Sequence, residues 1–262
     1  MFDMFENYSQ ENSSGSVTPA AKPVIVVSVG GSMIAKDKMD APLIAKFANS
    51  INALRKEGFE FVLVAGGGKI ARDYIAAAKN LGVENNFILD EIAITVTRLN
   101  ALILIQAFDD SFPDVLTDVK RIHDILGSKK IPVFGGLIPG FTTDTVAASI
   151  AEYIGGIFIN LSNQDGVYNT DPKYSKNARL IPKLSHERLM KLITLKDSRA
   201  PGENLILDAF TCMILNRSRI TTFVLNMEDL TNFESAVKGL DFHGTIIEST
   251  EAVSGPDKIE ED

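Results

Sequence analysis

Four short segments carry residue types suited to holding phosphorylated ligands. Gly66-Gly67-Gly68-Lys69-Ile70-Ala71-Arg72 follows the apolar run 61–65 and opens a helical pattern. Consecutive glycines at a helix N-terminus expose backbone N–H groups toward an anion, and Lys69 and Arg72 add positive charge. Gly30-Gly31-Ser32 follows the run 24–29 and allows a sharp turn and close approach to a bulky anion. Gly135-Gly136-Leu137-Ile138-Pro139-Gly140-Phe141-Thr142-Thr143-Asp144 follows 131–134, with Thr142 or Thr143 placed to cap the next helix or to bind an anion there. Ser162-Asn163-Gln164-Asp165-Gly166-Val167-Tyr168-Asn169-Thr170-Asp171 follows 157–161; Tyr168 offers an aromatic face to a purine, and Asp171 a carboxylate to a ribose hydroxyl. Three anion-binding loops and one aromatic-acid loop suit two phosphorylated ligands facing each other. Phosphoryl transfer needs mainly positioning and charge stabilisation, so no covalent nucleophile is required.

Other chemistries lack their residues. The single cysteine, Cys212, lies in the apolar stretch Phe210–Leu215 and reads as a buried thiol; it excludes an internal disulfide and a Cys-rich zinc site. His123, His186 and His243 are scattered without ligand spacing. The Walker pattern is absent. The glycine segment fits the loose dinucleotide fingerprint, but Asp90-Glu91 falls in a helical pattern and not at a strand end. The net charge of −8 argues against a general nucleic-acid binder. No apolar run is long enough for a membrane helix, and the N-terminus lacks a signal-peptide pattern, so the expected location is cytoplasmic.

The elements that must position these segments alternate along the chain. Buried strands are expected at 24–29, 61–65, 131–135, 157–161 and 221–226. Helices are expected from the Asp40 cap to Gly58, at 69–81, 86–108, 143–154, 185–193, 203–217 and 228–238; the helix at 86–108 is apolar on most faces and is expected to pack on both sides. Such alternation implies an α/β fold with a mostly parallel sheet covered by helices, with ligands at the carboxyl ends of its strands. Residues 1–22 and 249–262 are polar and read as tails around a domain at 23–248. The tails hold most of the acidity, −2 and −4, leaving −2 on the domain.

Five motifs in order resemble the amino-acid-kinase superfamily, in particular its archaeal-type uridylate kinases. They are Val-Gly-Gly-Ser (29–32), Gly-Gly-Gly-Lys-x-Ala-Arg (66–72), Thr-Arg-x-Asn-Ala (97–101), Gly-Gly-x-x-Pro-Gly-x-Thr-Thr-Asp (135–144) and Asn-x-Asp-Gly-Val-Tyr-x-x-Asp-Pro (163–172). The resemblance implies a three-layer αβα sandwich that transfers phosphate from ATP to UMP. It also implies Mg²⁺ carried on the ATP phosphates, no protein-held metal, and a homohexamer built from dimers. By position it implies that Ser28, Gly30, Gly31, Ser32, Gly68 and Arg72 meet the ATP phosphates. Ser162, Asn163, Tyr168 and Asp171 would line the ATP nucleoside. Gly67, Asp90, Leu137, Ile138, Pro139, Gly140, Phe141, Thr142 and Thr143 would hold UMP, with Asp90 on the ribose. Asp165 would organise charge around the transferred phosphoryl, with Lys69 as a second catalytic candidate. Arg98 and Asn100 match a segment near the UMP site and the subunit contacts.

The chain departs from the resemblance at two positions. Ser28 stands where many superfamily members have lysine, and Met213 where relatives carry a late-helix lysine. Lys69, Lys36 and Lys38 are the candidates to stand in. These departures leave open a weakly or non-catalytic nucleotide-binding or storage relative. Apolar Leu137, Ile138 and Phe141 leave open a same-fold kinase with another acceptor.

Overall fold

The computed structural model describes residues 22–34, 38–170, 172, 175–197 and 206–249. Its seven strands form one sheet: β1 (Ile25–Val29), β2 (Phe61–Ala65), β3 (Val133–Phe134), β4 (Ile157–Ser162), β5 (Lys183–Ser185), β6 (Thr222–Asn226) and β7 (Thr245–Glu248). Their spatial order is β3-β2-β1-β4-β6-β7-β5, parallel except for the antiparallel β6–β7 pair. The helices among the described residues are α1 (Gly31–Ile34), α2 (Ala41–Lys56), α3 (Gly68–Asn80), α4 (Asn86–Ile105), α5 (Ile122–Gly127), α6 (Thr143–Ile154), α7 (His186–Asp197), α8 (Ala209–Ser218) and α9 (Leu230–Val237).

Central strands are mostly apolar because both sheet faces are covered. Successive side chains point to opposite faces. Val27, Val29, Leu63 and Ile159 join Phe47, Ile51, Leu104 and Phe233 of α2, α4 and α9. Val26, Val62, Val64, Phe158 and Val224 join Val146, Ile150, Cys212 and Leu215 of α6 and α8. The architecture is a three-layer αβα sandwich.

All five expected strands and seven expected helices form, with shifts at their ends. The first long helix starts where Asp40 accepts the Leu43 N–H, and Gly58 (φ +92°) turns the chain after it. The expected helix at 203–217 begins only at Ala209, because Asp208 is extended and its carboxylate accepts the Thr211 N–H at 3.0 Å; residues 203–205 lie outside the described ones. The helix expected to pack on both sides buries one face only: Leu99, Leu102 and Ile103 of α4 stay exposed. Short β5, β7 and α5 carry too few residues for a periodic signal.

Candidate active site

The glycine segments all leave the same end of the sheet. Gly30 follows β1, Gly66 follows β2, Gly135 follows β3, and Ser162 ends β4. Gly31 and Gly68 touch backbone to backbone: a Cβ on Gly31 would lie 2.0 Å from the Gly68 nitrogen. Gly68 itself has φ +63°, which favours a residue without a side chain. The two loops therefore form one crest of backbone N–H groups.

Helix α4 holds that crest from one side, which explains the spacing of Thr97, Arg98 and Asn100. Asn100 Nδ2 donates to the Gly66 carbonyl at 2.8 Å. Thr97 Oγ1 accepts the Gly136 N–H at 2.7 Å, and Arg98 Nε donates to the Gly136 carbonyl at 3.1 Å. One turn from the start of α4, Asp90 Oδ2 accepts the Gly140 N–H at 2.7 Å. Three turns of one helix thus fix both the Gly66–Gly68 loop and the loop at 137–143.

On the opposite face, two polar side chains interrupt the apolar strands at paired positions. Ser28 of β1 stands beside Asn160 of β4 in register. Both donate to Asp144 Oδ1, Ser28 Oγ at 2.6 Å and Asn160 Nδ2 at 2.9 Å. Asp144 lies in the first turn of α6, where the helix dipole favours a carboxylate. It keeps some accessible surface, yet protein surrounds it, and that burial, aided by the negative charge of Asp208, pushes its pKa up to about 6 against the hydrogen bonds from Ser28 and Asn160. Among the described residues, no cation pairs with it.

Asp208 joins two helix N-termini. It caps α8 and also accepts from Thr142 Oγ1 at 2.5 Å, Thr145 Oγ1 at 3.0 Å and Thr211 Oγ1 at 2.6 Å. Burial raises its pKa, but these donors outweigh burial and hold it below the usual carboxylate value. Thr142 is in turn the cap of α6, accepting the Thr145 N–H at 3.1 Å; Thr143 is the first residue of that helix.

The remaining candidates divide by surroundings. Asp165 Oδ1 accepts from Asn226 at the end of β6 at 2.7 Å, and Oδ2 accepts from the Tyr168 hydroxyl at 3.1 Å. That contact and burial raise the Tyr168 pKa, burial most. Ser32 Oγ reaches Met227 Sδ at 3.7 Å, and Ser162 Oγ accepts the Gln164 N–H at 3.3 Å. Lys69 is exposed and paired with Asp73 at 2.7 Å; Arg72, Lys38 and Asn163 are exposed. Asp171 and Lys36 lie outside the described residues. Met213 is exposed on α8. A cavity of about 560 Å³, lined by Arg55, Phe61, Asp110 and Lys129 among others, lies at the amino end of β2, across the sheet from this crest.

Sequence reasoning left Asn160, Thr145 and Thr211 without a role. It quoted Asp144 only within a motif and did not single out Asp208. A usable signal existed: Ser28 and Asn160 are polar residues inside otherwise apolar strands, and such residues need buried partners.

The profile of the Amino acid kinase family matches residues 23–226. The chain belongs to this family. Among amino acid kinase family proteins, the chain is 36% identical over 226 residues to a uridylate kinase of Thermococcus sibiricus, covering 86% of this chain and 99% of that protein. It is 38% identical over 229 residues to a uridylate kinase of Methanocaldococcus jannaschii, with the same two coverages. The crystal structure of the uridylate kinase from Archaeoglobus fulgidus superposes with a TM-score of 0.76 at 36% identity, over 86% of this chain and 99% of that one. The UMP kinase of Ureaplasma parvum, at 21% identity and TM-score 0.74 over 87% of this chain and 99% of that one, shares the fold.

Proposed function

We propose that the protein is a cytoplasmic UMP kinase of pyrimidine nucleotide synthesis, moving the γ-phosphoryl group of ATP to UMP. The observation that carries this reading is the convergence at one sheet end of the Gly31–Gly68 crest with a second loop pinned by Asp90 and Asp208. Full-length likeness to named uridylate kinases supports it.

The donor phosphates lie on the crest made by Gly30, Gly31, Ser32 and Gly68, with Arg72 nearby. Ser162, Asn163, Tyr168 and Asp171 line the donor nucleoside. UMP lies along Gly67 and the loop 137–143, with a ribose hydroxyl on Asp90. An oxygen of the UMP phosphate forms a bond to the γ-phosphorus as the bond from that phosphorus to the β–γ bridging oxygen breaks, and ADP leaves with the electron pair. The attacking oxygen is already anionic, so the residues need only align the partners and neutralise charge. This reading takes Mg²⁺ as a cofactor carried by the ATP phosphates, as the resemblance implies. When bound, that ion would neutralise phosphate charge. Asp165, held by Asn226 and Tyr168, has a fixed orientation from which to organise charged groups at the transferred phosphoryl. Lys69, one residue past Gly68, is the mobile cation candidate once it exchanges Asp73 for phosphate.

A second reading, a nucleotide-binding protein with little turnover, draws on Asp144. By resemblance, many superfamily members set a lysine at the position of Ser28, although archaeal relatives often lack it, and relatives usually set one at the position of Met213; here a hydroxyl and a thioether stand there instead. Release of ADP on mixing enzyme, ATP, Mg²⁺ and UMP separates the two readings. The exposed apolar side of α4, with Ile88, Leu99, Leu102 and Ile103, supports assembly into a homo-oligomer, with a homohexamer built from dimers expected by resemblance. Light scattering on the eluting protein checks that number.

A further inference from the structure

The loop at 137–143 is pinned on both sides within three residues. The Gly140 N–H goes to Asp90 of α4, and the Thr142 hydroxyl goes to Asp208 at the head of α8. Phe141 stands between these ties and has little freedom to leave the rim. Its ring meets Phe210 of α8 at a centroid distance of 5.7 Å and an interplanar angle of 45°. Neither ring is buried: Phe141 is 43% and Phe210 54% exposed. Ile138 on the same loop and Met213, one turn beyond Phe210 on α8, are also exposed and uncharged.

Two exposed aromatic rings, one on the loop at 137–143 and one on α8, present apolar faces to solvent. A phosphate gains nothing from the rings themselves, which carry neither charge nor hydrogen-bond donor. A nucleobase fits, since every base offers a π-face to an aromatic ring. Asp90 adds the reach: one of its oxygens holds Gly140, while Oδ1 accepts no hydrogen bond among the described residues. A ribose hydroxyl on Oδ1 would set the attached base beside Phe141.

We propose that Phe210, acting with Phe141, forms the stacking platform for the base of the acceptor nucleotide, so that α8 determines acceptor affinity. This rests on the acceptor-nucleotide reading above. The proposal gives the exposed side of α8 a binding role in place of a charge-neutralising one. It also makes Asp208 the positioning residue for the platform, because the same carboxylate fixes the loop bearing Phe141 and the first turn bearing Phe210.

The test is steady-state kinetics on the full chain with ATP, Mg²⁺ and UMP, comparing wild type with Phe210→Ala and Phe210→Tyr. Phe210→Ala is expected to raise the KM for UMP about tenfold, the effect of losing about 1.4 kcal/mol of stacking. The KM for ATP should stay within about twofold, and Phe210→Tyr should restore the wild-type KM for UMP. Phe210 is exposed, so the alanine variant should keep the wild-type melting temperature. A UMP KM unmoved by Phe210→Ala, or an ATP KM that rises equally, would overturn the platform while leaving the kinase reading intact. A wild-type chain with no UMP turnover would overturn that reading and the platform with it.

Discussion

The two sides of the crevice are built from different materials. On the proposed reading, the donor side is backbone: glycine loops after β1 and β2 packed on each other, held by Asn100 from α4. The other side, where the proposed acceptor loop sits, is side chain: Asp208 on three threonines and two exposed phenylalanines, with Asp144 on Ser28 and Asn160 beside them. A backbone cradle tolerates almost no added atom but asks little of charge. A side-chain cradle tolerates changes of size but depends on which charges face each other. The departures at Ser28 and Met213 both fall on the side-chain half, where a fold can lose a cation without losing its shape.

The largest effect should come from restoring that cation. Met213→Lys is expected to raise kcat by roughly two to three decades, the size of one donor aimed at developing charge. Single-turnover phosphoryl transfer measures it. An unchanged rate would mean that the acceptor side already neutralises the transferred group and that Met213 marks no deficit. Next, Gly31→Ala drives a Cβ toward the Gly68 nitrogen and must displace backbone. About a hundredfold loss of kcat/KM is expected from the shifted cradle, with about 1–3 kcal/mol lost from stability. A silent Gly31→Ala would break the claim that the donor side is rigid backbone.

Smaller effects test the carboxylates. Asp208→Ala removes the α8 cap and leaves Thr145 and Thr211 without their acceptor. Urea unfolding should show about 2–3 kcal/mol lost, with the KM for UMP rising more than that for ATP. Asp144 gives a pH signature. Its native pKa is raised to about 6 from an ordinary value of 3.8, so the native state binds the proton more tightly. Its contribution is most favourable below about pH 4 and is lost as pH rises to about 6. In Asp144→Asn that decline should vanish, and stability at pH 7 should rise by roughly 2–3 kcal/mol. Melting temperatures from pH 4 to 8 read it out, and a variant that keeps the wild-type slope would show that Asp144 is not the titrating group.

The same contrast explains what the sequence revealed. Glycines after apolar runs are local signals, so the donor loops and five strands could be placed without contacts. Thr142 as a cap was equally local. Asp208 touches Thr142 across 66 positions and Ser28 touches Asp144 across 116; such pairs follow from topology, and spacing alone does not reveal them. The late start of α8 has the same origin, since the apolar pattern continued upstream while the Asp208 cap decided the boundary. The exposed face of α4 was misjudged because an all-round apolar helix looks the same whether a second layer or a second copy covers it.

The most direct measurement is ADP release by the purified protein in ATP and Mg²⁺, with and without UMP, alongside CMP and amino-acid or isoprenoid-phosphate acceptors. The account predicts release that depends on UMP, saturates with it and yields UDP in equal amount. Release that ignores UMP, or that follows a different acceptor, would contradict it.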